Sequence, residues 1–286
     1  MDEERVITGL IQLIKKAETE LPMDVINALK AALIKEESIA KVQLETILQN
    51  VELAKKTNRP MCQDTGIQTF YVNVGYDFPH IKQLKAWITE AVQKATSTVP
   101  LRPNTVDPFT GKNHKDNTGE YIPYITWDFT EGTDVCITAL PKGGGSENMS
   151  KLGMLKPGVG IKGVKEFVID EMLKAGGFPC PPTVVGIGIG GGADLSMKLG
   201  KKALLRPIGK RHDDKTIAIM EEELIEQINK SDIGPMGLGG KTTVLDVHIE
   251  KAHRHPASLP VGLVVQCWAA RRADMIVHAD GSWEVK

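Results

Sequence analysis

Three of the four cysteines stand in sequence contexts that suit chemistry better than packing. Cys62, Cys180 and Cys267 each lie beside turn formers, polar residues or a strand end, whereas Cys136 lies within the apolar alternation of Asp134–Leu140. No two form a CxxC pair, which disfavours a structural zinc ribbon and a thioredoxin-type redox motif. The sequence therefore predicts reduced thiols, three of them candidates for chemistry, although isolated cysteines more often pack as small hydrophobic side chains.

Glycine-rich segments recur at Gly143–Gly145, Gly186–Gly192 and Gly234–Gly240. The second segment follows a predicted strand and precedes a predicted helix, which is the context of a dinucleotide fingerprint. Its spacing fits that fingerprint loosely, and Asp213–Asp214 opens a helix where the acidic residue is expected at a strand end. Glycines also let the backbone approach an inorganic cluster or a carboxylate and offer N–H donors. Tight strand-to-helix turns are the simplest alternative.

The elements that position these residues alternate between strands and helices. Apolar residues at helical spacing, such as Ile7, Leu10 and Ile14, predict an N-terminal helical layer over residues 1–58. Strands are predicted at Thr69–Val74, Tyr121–Phe129, Val135–Leu140, Thr183–Ile189, Thr242–Ile249 and Gly262–Cys267. Helices are predicted at Ile81–Ala95, Gly163–Ala175, Leu195–Leu204 and Lys215–Asn229. We predict an α/β fold with a mixed sheet and flanking helices, in one domain of residues 1–286 whose α/β core spans 59–286.

Composition excludes several classes of partner. The chain has 35 Lys and Arg against 36 Asp and Glu, so no basic field favours nucleic acid. An anionic metabolite would have to be bound by individually placed cations. No apolar run approaches the roughly 20 residues of a spanning helix, and the acidic start MDEERVITGL is unlike a targeting peptide. A cytoplasmic location is expected.

A set of motifs resembles one family of enzymes. They are MCQDTG at Met61–Gly66, LRPN at Leu101–Asn104, the GGGSEN, GGFPCPP and GIGIGGGAD segments, IGPMGLGGKTT at Ile233–Thr243 and HRHPASLPVGLVVQCWAARR at His253–Arg272. Their order and content resemble the alpha region of iron–sulfur hydro-lyases of the class I fumarase and tartrate dehydratase family. The resemblance extends from about residue 5 to the C-terminus and is far more specific than any single motif.

The resemblance implies a [4Fe–4S] cofactor. In this family three cysteines bind the cluster, and the matching positions are Cys62, Cys180 and Cys267, which leaves Cys136 as a structural residue. Three thiolates leave one iron without a protein ligand, and an open coordination position makes that iron a Lewis acid. We therefore expect an oxygen-sensitive enzyme, because oxidants extract an exposed iron.

The resemblance also implies substrate contacts. Gln63, Arg102 and Gly145 match substrate-binding positions, and Asp64 and His255 match positions with catalytic roles. Arg102 has the planar fork that binds a carboxylate, and Asp64 is able to orient water or carry a proton.

Alternative interpretations remain for each of these residues. Residues 64–66 are also a plausible turn, Arg102 a surface cation and His255 a loop histidine. His253 is the position most easily confused with His255.

The predicted function is the alpha subunit of a hydro-lyase that converts fumarate to L-malate in the tricarboxylic acid cycle. Single-chain members of the family carry a further C-terminal region, so we expect a separate beta subunit to complete the active site in an α2β2-type assembly. An L-tartrate dehydratase alpha subunit is the first alternative, because L-tartrate differs from L-malate by one hydroxyl. A nucleotide-binding or scaffold protein is the remote alternative.

Overall fold

A computed structural model describes residues 2–286 and shows an α/β protein with two mixed sheets. The helices are α1 (Glu3–Thr19), α2 (Met23–Lys35), α3 (Ser38–Thr57), α4 (Leu84–Thr98), α5 (Gly144–Glu147), α6 (Gly160–Ala175), α7 (Ala193–Ala203) and α8 (Lys215–Asn229). The strands are β1 (Thr69–Gly75), β2 (Tyr124–Thr130), β3 (Val135–Ala139), β4 (Lys151–Leu155), β5 (Thr183–Gly191), β6 (Val244–Arg254), β7 (Leu259–Gln266), β8 (Ala273–Val277) and β9 (Trp283–Val285). The predicted α/β class is confirmed.

The chain divides into two compact units. Unit 1 contains Met1–Pro22, Asn50–Gly144 and Arg271–Lys286, and unit 2 contains Met23–Gln49 and Gly145–Ala270. The predicted N-terminal layer is helical, but its residues are shared between the two units. Organisation as one domain stays a prediction.

Unit 1 is built on a five-stranded sheet of order β2-β1-β3-β8-β9. Strand β1 pairs in parallel with β2 and antiparallel with β3, so it separates two strands that are neighbours in sequence. The segment between β2 and β3 therefore does not close a hairpin, although the two strands are consecutive in the chain. The apolar alternation of β1 gives the strand one buried face, which carries Phe70, Val72 and Val74.

Helix α1 packs against this sheet through one apolar stripe. Asp2 caps its first turn by accepting from the Arg5 N–H, and Leu10, Leu13 and Ile14 are completely buried. Burying each such side chain contributes about 1.5–3 kcal/mol relative to an exposed one. On the strand side, Trp283 Nε1 donates to the Arg5 carbonyl at 2.9 Å. The N-terminal helix is thereby joined to the last strand of unit 1.

Unit 2 is built on a four-stranded sheet of order β4-β7-β5-β6. Strand β5 pairs in parallel with β6 and antiparallel with β7, and every residue of β7 is buried. Helices α6 and α8 contribute Val164, Val168, Leu224 and Ile228 to the core of this unit. No helix among residues 2–286 is both long and apolar enough to cross a membrane.

The glycines of the Gly186–Gly192 segment bring α7 close to the sheet. A Cβ at Gly186 would lie 2.0 Å from the Gly200 carbonyl oxygen, and one at Gly188 would lie 2.0 Å from the Ser196 carbonyl oxygen. Both glycines belong to strand β5, so the expected loop begins several residues later. Gly186 and Gly188 therefore allow the close packing of two backbone segments. Because both lie within the strand, they are not loop N–H donors for a phosphate, which weakens the phosphate-binding interpretation.

A buried polar network covers β6. Glu221 of α8 is fully buried, pairs with Arg206 at 2.6 Å and accepts from the Ile249 N–H at 2.8 Å. Asp246 accepts from Arg211 and from the Gly209 N–H. Burial alone would raise the pKa of Asp246, but hydrogen bonds from His248, Gly209 and Arg211 hold it below its ordinary value. These pairs hold the connection that precedes α8.

Replacing Gly186 with alanine is expected to destabilise the protein by about 1–3 kcal/mol or more, because the new methyl group overlaps backbone atoms that cannot rotate away. Urea unfolding of Gly186→Ala measures this loss. Gly158→Ala is the matched control, since a Cβ there meets no atom within 4 Å. Equal unfolding midpoints for the two variants would contradict the close approach of α7.

Candidate active site

The loop Met61–Gly66 of unit 1 carries the first cysteine motif, and its main chain is fixed at both ends. The Met61 N–H donates to the Glu18 carbonyl at 3.0 Å, and Asn50 Nδ2 donates to the Met61 carbonyl at 2.7 Å. Arg271 Nη2 donates to the Asp64 carbonyl at 3.0 Å. The loop therefore presents Cys62 half-buried and Gln63 exposed between main-chain groups of Met61 and Asp64 that have hydrogen-bond partners.

The Asp64 carboxylate orders two neighbouring segments. Its Oδ1 accepts from the Gly66 N–H at 3.0 Å, and its Oδ2 accepts from the Gly144 N–H at 2.8 Å. Asn104 Nδ2 lies 3.5 Å from Oδ1. The residues predicted as a possible turn at 64–66 do form one, but the same carboxylate also fixes the GGG segment. The catalytic role of Asp64 stays a prediction.

Arg102 is held beside the same loop by its main chain. Its N–H donates to Thr65 Oγ1 at 3.1 Å, and its carbonyl accepts from Asn117 Nδ2 at 3.1 Å. The Arg102 side chain is exposed. Unit 1 thus holds the Arg102 main chain against the loop that carries Cys62 and Asp64, and the substrate-binding role of Arg102 stays a prediction.

A buried ion pair lies beneath this loop. Glu18 and Arg271 are 0% and 1% exposed, and Arg271 Nη1 donates to Glu18 Oε2 at 2.7 Å. Glu18 Oε1 also accepts from Gln68 Nε2 at 2.9 Å. Burial raises the pKa of the Glu18 carboxyl above its ordinary value, while Arg271 and Gln68 oppose that shift by favouring the carboxylate.

In unit 2, Cys180 and Cys267 lie at the same end of the sheet. Cys180 precedes β5, Cys267 follows β7, and the Trp268 N–H donates to the Cys180 carbonyl at 3.1 Å. Both cysteines are half-buried. Cys180 has a φ of 54°, a left-handed conformation that is uncommon for a residue with a Cβ and concentrates at functional sites. The structure therefore brings these two predicted ligands into one neighbourhood.

Gly145 lies close to the Cys180 turn. A Cβ at this exposed glycine would lie 3.8 Å from the Phe178 carbonyl oxygen, two residues before Cys180. Glu147, in the same short helix α5, accepts from Lys201 of α7 at 2.6 Å. That ion pair joins Glu147 to α7 within unit 2.

His255 lies at the opposite end of the unit 2 sheet. It follows Arg254, whose register partner on β5 is Gly191, whereas Cys180 lies beyond Thr183 at the other end of that strand. Eight residues of strand correspond to about 25 Å. Within unit 2, His255 is therefore remote from both cysteines, and its catalytic role stays a prediction.

The turn around His255 is nevertheless well ordered by polar contacts. Arg254 Nη1 donates to the carbonyls of His255, Pro256 and Ser258, each at 3.0 Å. His255 Nδ1 accepts from the Ala257 N–H at 3.1 Å, which assigns the proton of the neutral ring to Nε2. His255 is exposed, as is His253 at the end of β6.

The four cysteines carry no disulfide. Cys136 lies on β3, where partial burial and the Asp134 and Asp274 carboxylates raise the pKa of its thiol. A raised pKa disfavours the thiolate that binds metals, but the Cys136 residue is exposed, so its structural role stays a prediction. Among residues 2–286, no three His, Cys, Asp or Glu side chains form a group that could hold a metal ion. Cys62 belongs to unit 1 and the other two candidates to unit 2, so their joint role stays a prediction.

Sequence reasoning missed the residues that support the loop. Glu18, Gln68 and Asn117 lie outside the motifs, and a buried acid within a helical stretch gives no distinctive pattern. Arg271 and Asn104 lie inside quoted motifs, but nothing in the sequence distinguished their roles from those of their neighbours.

Replacing Asp64 with asparagine is expected to release the GGG segment. The amide offers one acceptor oxygen where the carboxylate accepts from both Gly66 and Gly144. We expect a loss of about 1–3 kcal/mol and faster hydrogen exchange in a peptide containing Gly144. Asp107→Asn alters a comparable turn in an exposed loop and serves as the control. Unchanged exchange at Gly144 in Asp64→Asn would show that the carboxylate does not hold the segment.

Comparisons with known proteins identify the family. The family model described as fumarate hydratase (Fumerase) matches residues 8–276. A Methanocaldococcus jannaschii protein, provisionally named L(+)-tartrate dehydratase subunit alpha, is 52% identical over 276 residues, covering 95% of this chain and 97% of the relative. L(+)-tartrate dehydratase subunit alpha of Escherichia coli O157:H7 is 40% identical, and that of strain K12 is 39% identical, each over 93% of this chain and 88% of the relative. The chain belongs to the fumarate hydratase (Fumerase) family of hydro-lyases.

Proposed function

We propose that the chain is the alpha subunit of an iron–sulfur hydro-lyase that adds water to, or removes it from, a small dicarboxylate. The observation that carries the proposal is the joint fixation of the Cys62–Asp64 loop, Arg102 and the GGG segment in a family member. A beta subunit supplies the remaining substrate contacts. The names of the relatives as alpha subunits support such a partner.

Cys62, Cys180 and Cys267 would hold the [4Fe–4S] cluster. All three are half-buried thiols, and the Trp268 N–H contact joins the segments of the latter two. The same three-thiolate donor set suits a cluster better than a closed structural zinc site, which takes four ligands. When bound, such a cluster supplies a Lewis acid for the hydroxyl that leaves or enters.

Residues of the chain provide the complementary polar contacts. The exposed Arg102 fork binds one carboxylate of the substrate through two parallel hydrogen bonds, and the Gln63 amide donates to it. The backbone N–H of Gly145 offers a further donor, because no side chain obstructs the approach. Asp64 holds these elements in register and is the candidate for orienting water or carrying a proton.

His255 requires a different route to the substrate. A distance of about 25 Å from Cys180 within its own unit prevents a contact with substrate at those cysteines. We assign this contact to His255 of a second alpha chain, which an α2β2-type assembly would supply. Its Nε2–H would then donate to the substrate.

Two substrates fit this half of the active site. Fumarate, hydrated to L-malate in the tricarboxylic acid cycle, agrees with the description of the matching family model. L-tartrate agrees with the names of the relatives. An enzyme of either type with an exposed iron suits a reducing cytoplasm and loses activity in air.

Turnover by the alpha chain together with a beta subunit tests the proposal. We expect the pair, purified without oxygen, to turn over fumarate and malate with a higher kcat/KM than L-tartrate, and the alpha chain alone to be inactive because carboxylate contacts are missing. The alternative substrate is established if tartrate has the higher value. Substantial turnover by the alpha chain alone would contradict the need for a partner, and no turnover of any of the three by the pair would contradict the hydro-lyase.

Serine substitutions test the cluster ligands separately. Anaerobic reconstitution is expected to give about four irons per chain with a broad brown absorbance. Cys62→Ser, Cys180→Ser and Cys267→Ser should each lower the iron content, because an alcohol is a poorer iron ligand than a thiolate. Cys136→Ser is the control and should retain full loading. Equal iron content in all four variants would exclude this ligand assignment.

A further inference from the structure

Contacts of the buried Glu18–Arg271 pair converge on the loop Met61–Gly66. The Glu18 carbonyl accepts from the Met61 N–H, and the Arg271 partner of its carboxylate donates to the Asp64 carbonyl. Gln68 Nε2 bridges Glu18 Oε1 at 2.9 Å and the Thr65 carbonyl at 3.2 Å. The pair therefore holds the loop before Cys62 and after Gln63.

The chemistry of the two side chains suits this purpose. A guanidinium is planar and donates in fixed directions, so one Arg271 fork reaches both Glu18 Oε2 and the Asp64 carbonyl. Complete burial removes competing water, which makes these charge-assisted hydrogen bonds directional and strong. Neither side chain is exposed enough to meet substrate, since Glu18 and Arg271 are 0% and 1% exposed.

A buried ion pair is a costly means of stabilising a core. Well-packed apolar residues of similar volume are often as stable, so stability alone gives little reason to bury these charges. The contacts to the Met61, Asp64 and Thr65 main chain supply a different reason. They fix irregular backbone that belongs to no strand or helix.

We infer that Glu18 and Arg271 are positioning residues for Cys62, Gln63 and Asp64, and set the geometry of the first cluster ligand and the first substrate contact. The inference rests on the proposed function for the roles of those three residues. That the ion pair holds the loop in place does not depend on which reaction the protein catalyses. Gln68 connects the ion pair to the Thr65 carbonyl, and the Thr65 hydroxyl accepts a hydrogen bond from the Arg102 N–H.

A double substitution separates positioning from stability. Glu18→Gln alone leaves a buried guanidinium without its counter-charge and is expected to lower the melting temperature strongly. Glu18→Gln combined with Arg271→Met removes both charges, so the melting temperature should return most of the way to that of the wild-type chain. The contact to the Asp64 carbonyl is still missing in the double variant, so its loop should remain loosened.

Loop order is measured on the full-length chain without iron. In the double variant we expect about a tenfold rise in two rates: hydrogen exchange of a peptide covering residues 61–66 and alkylation of Cys62. A hydrogen bond to a charged group shifts a local opening equilibrium by at least about tenfold. Alkylation of Cys136 serves as an internal reference. Arg271→Lys is the conservative variant, and we expect it to loosen the loop as well, because an ammonium lacks the fork.

The control for general loosening is Glu221→Gln, which breaks the Arg206–Glu221 pair in unit 2, where the carboxylate is as buried as that of Glu18. It should lower the melting temperature without changing exchange in residues 61–66. The inference is overturned if the double variant protects the loop as the wild-type chain does, or if Glu221→Gln loosens the loop to the same extent. Neither hydrogen exchange nor alkylation depends on turnover. A failure of the hydro-lyase proposal would therefore not affect these measurements, and the two proposals can fail separately.

Discussion

Irregular backbone that is withdrawn from water must find hydrogen-bond partners, and this constraint shapes the candidate site in unit 1. The loop Met61–Gly66 forms no helix and no strand, yet its main-chain groups bond to Glu18, Asn50, Gln68 and Arg271. An unsatisfied buried amide or carbonyl costs about 1–3 kcal/mol, so each partner favours one loop conformation over the alternatives. The conformation of the loop that presents Gln63 to solvent thus depends on buried side chains beneath it.

Glycine resolves a second conflict, between close packing and side-chain volume. Where α7 crosses β5, carbonyl oxygens occupy the space that the Cβ atoms of Gly186 and Gly188 would fill. The Gly143–Gly145 segment has a different role. The Gly144 N–H donates to the Asp64 carboxylate, and Gly145 is exposed. Similar glycine runs in one chain therefore perform unrelated tasks, and composition alone does not distinguish them.

Local periodicity was enough to predict most helices and several strands, because α1 and β1 each bury a regular apolar pattern. Sheet order was not predictable, since the insertion of β1 between β2 and β3 depends on long-range pairing. Short strands β8 and β9 and helix α5 carry too few residues for a periodic signal. The motifs indicated Cys62, Arg102 and the GGG segment together, but the remoteness of His255 from Cys180 follows from strand direction and register, which no motif encodes.

The order of elements in unit 1 has a consequence for biosynthesis. Strands β8 and β9 complete its sheet, and Trp283 bonds to the Arg5 carbonyl, yet these strands follow every residue of unit 2 in the sequence. During translation, α1 and β1 leave the ribosome early. Their apolar surface cannot be fully covered until β8 and β9 are made, after the whole of unit 2. Unit 1, whose first helix is translated early, therefore completes its sheet only after unit 2 has been translated. During this interval its uncovered apolar surface is a target for chaperones.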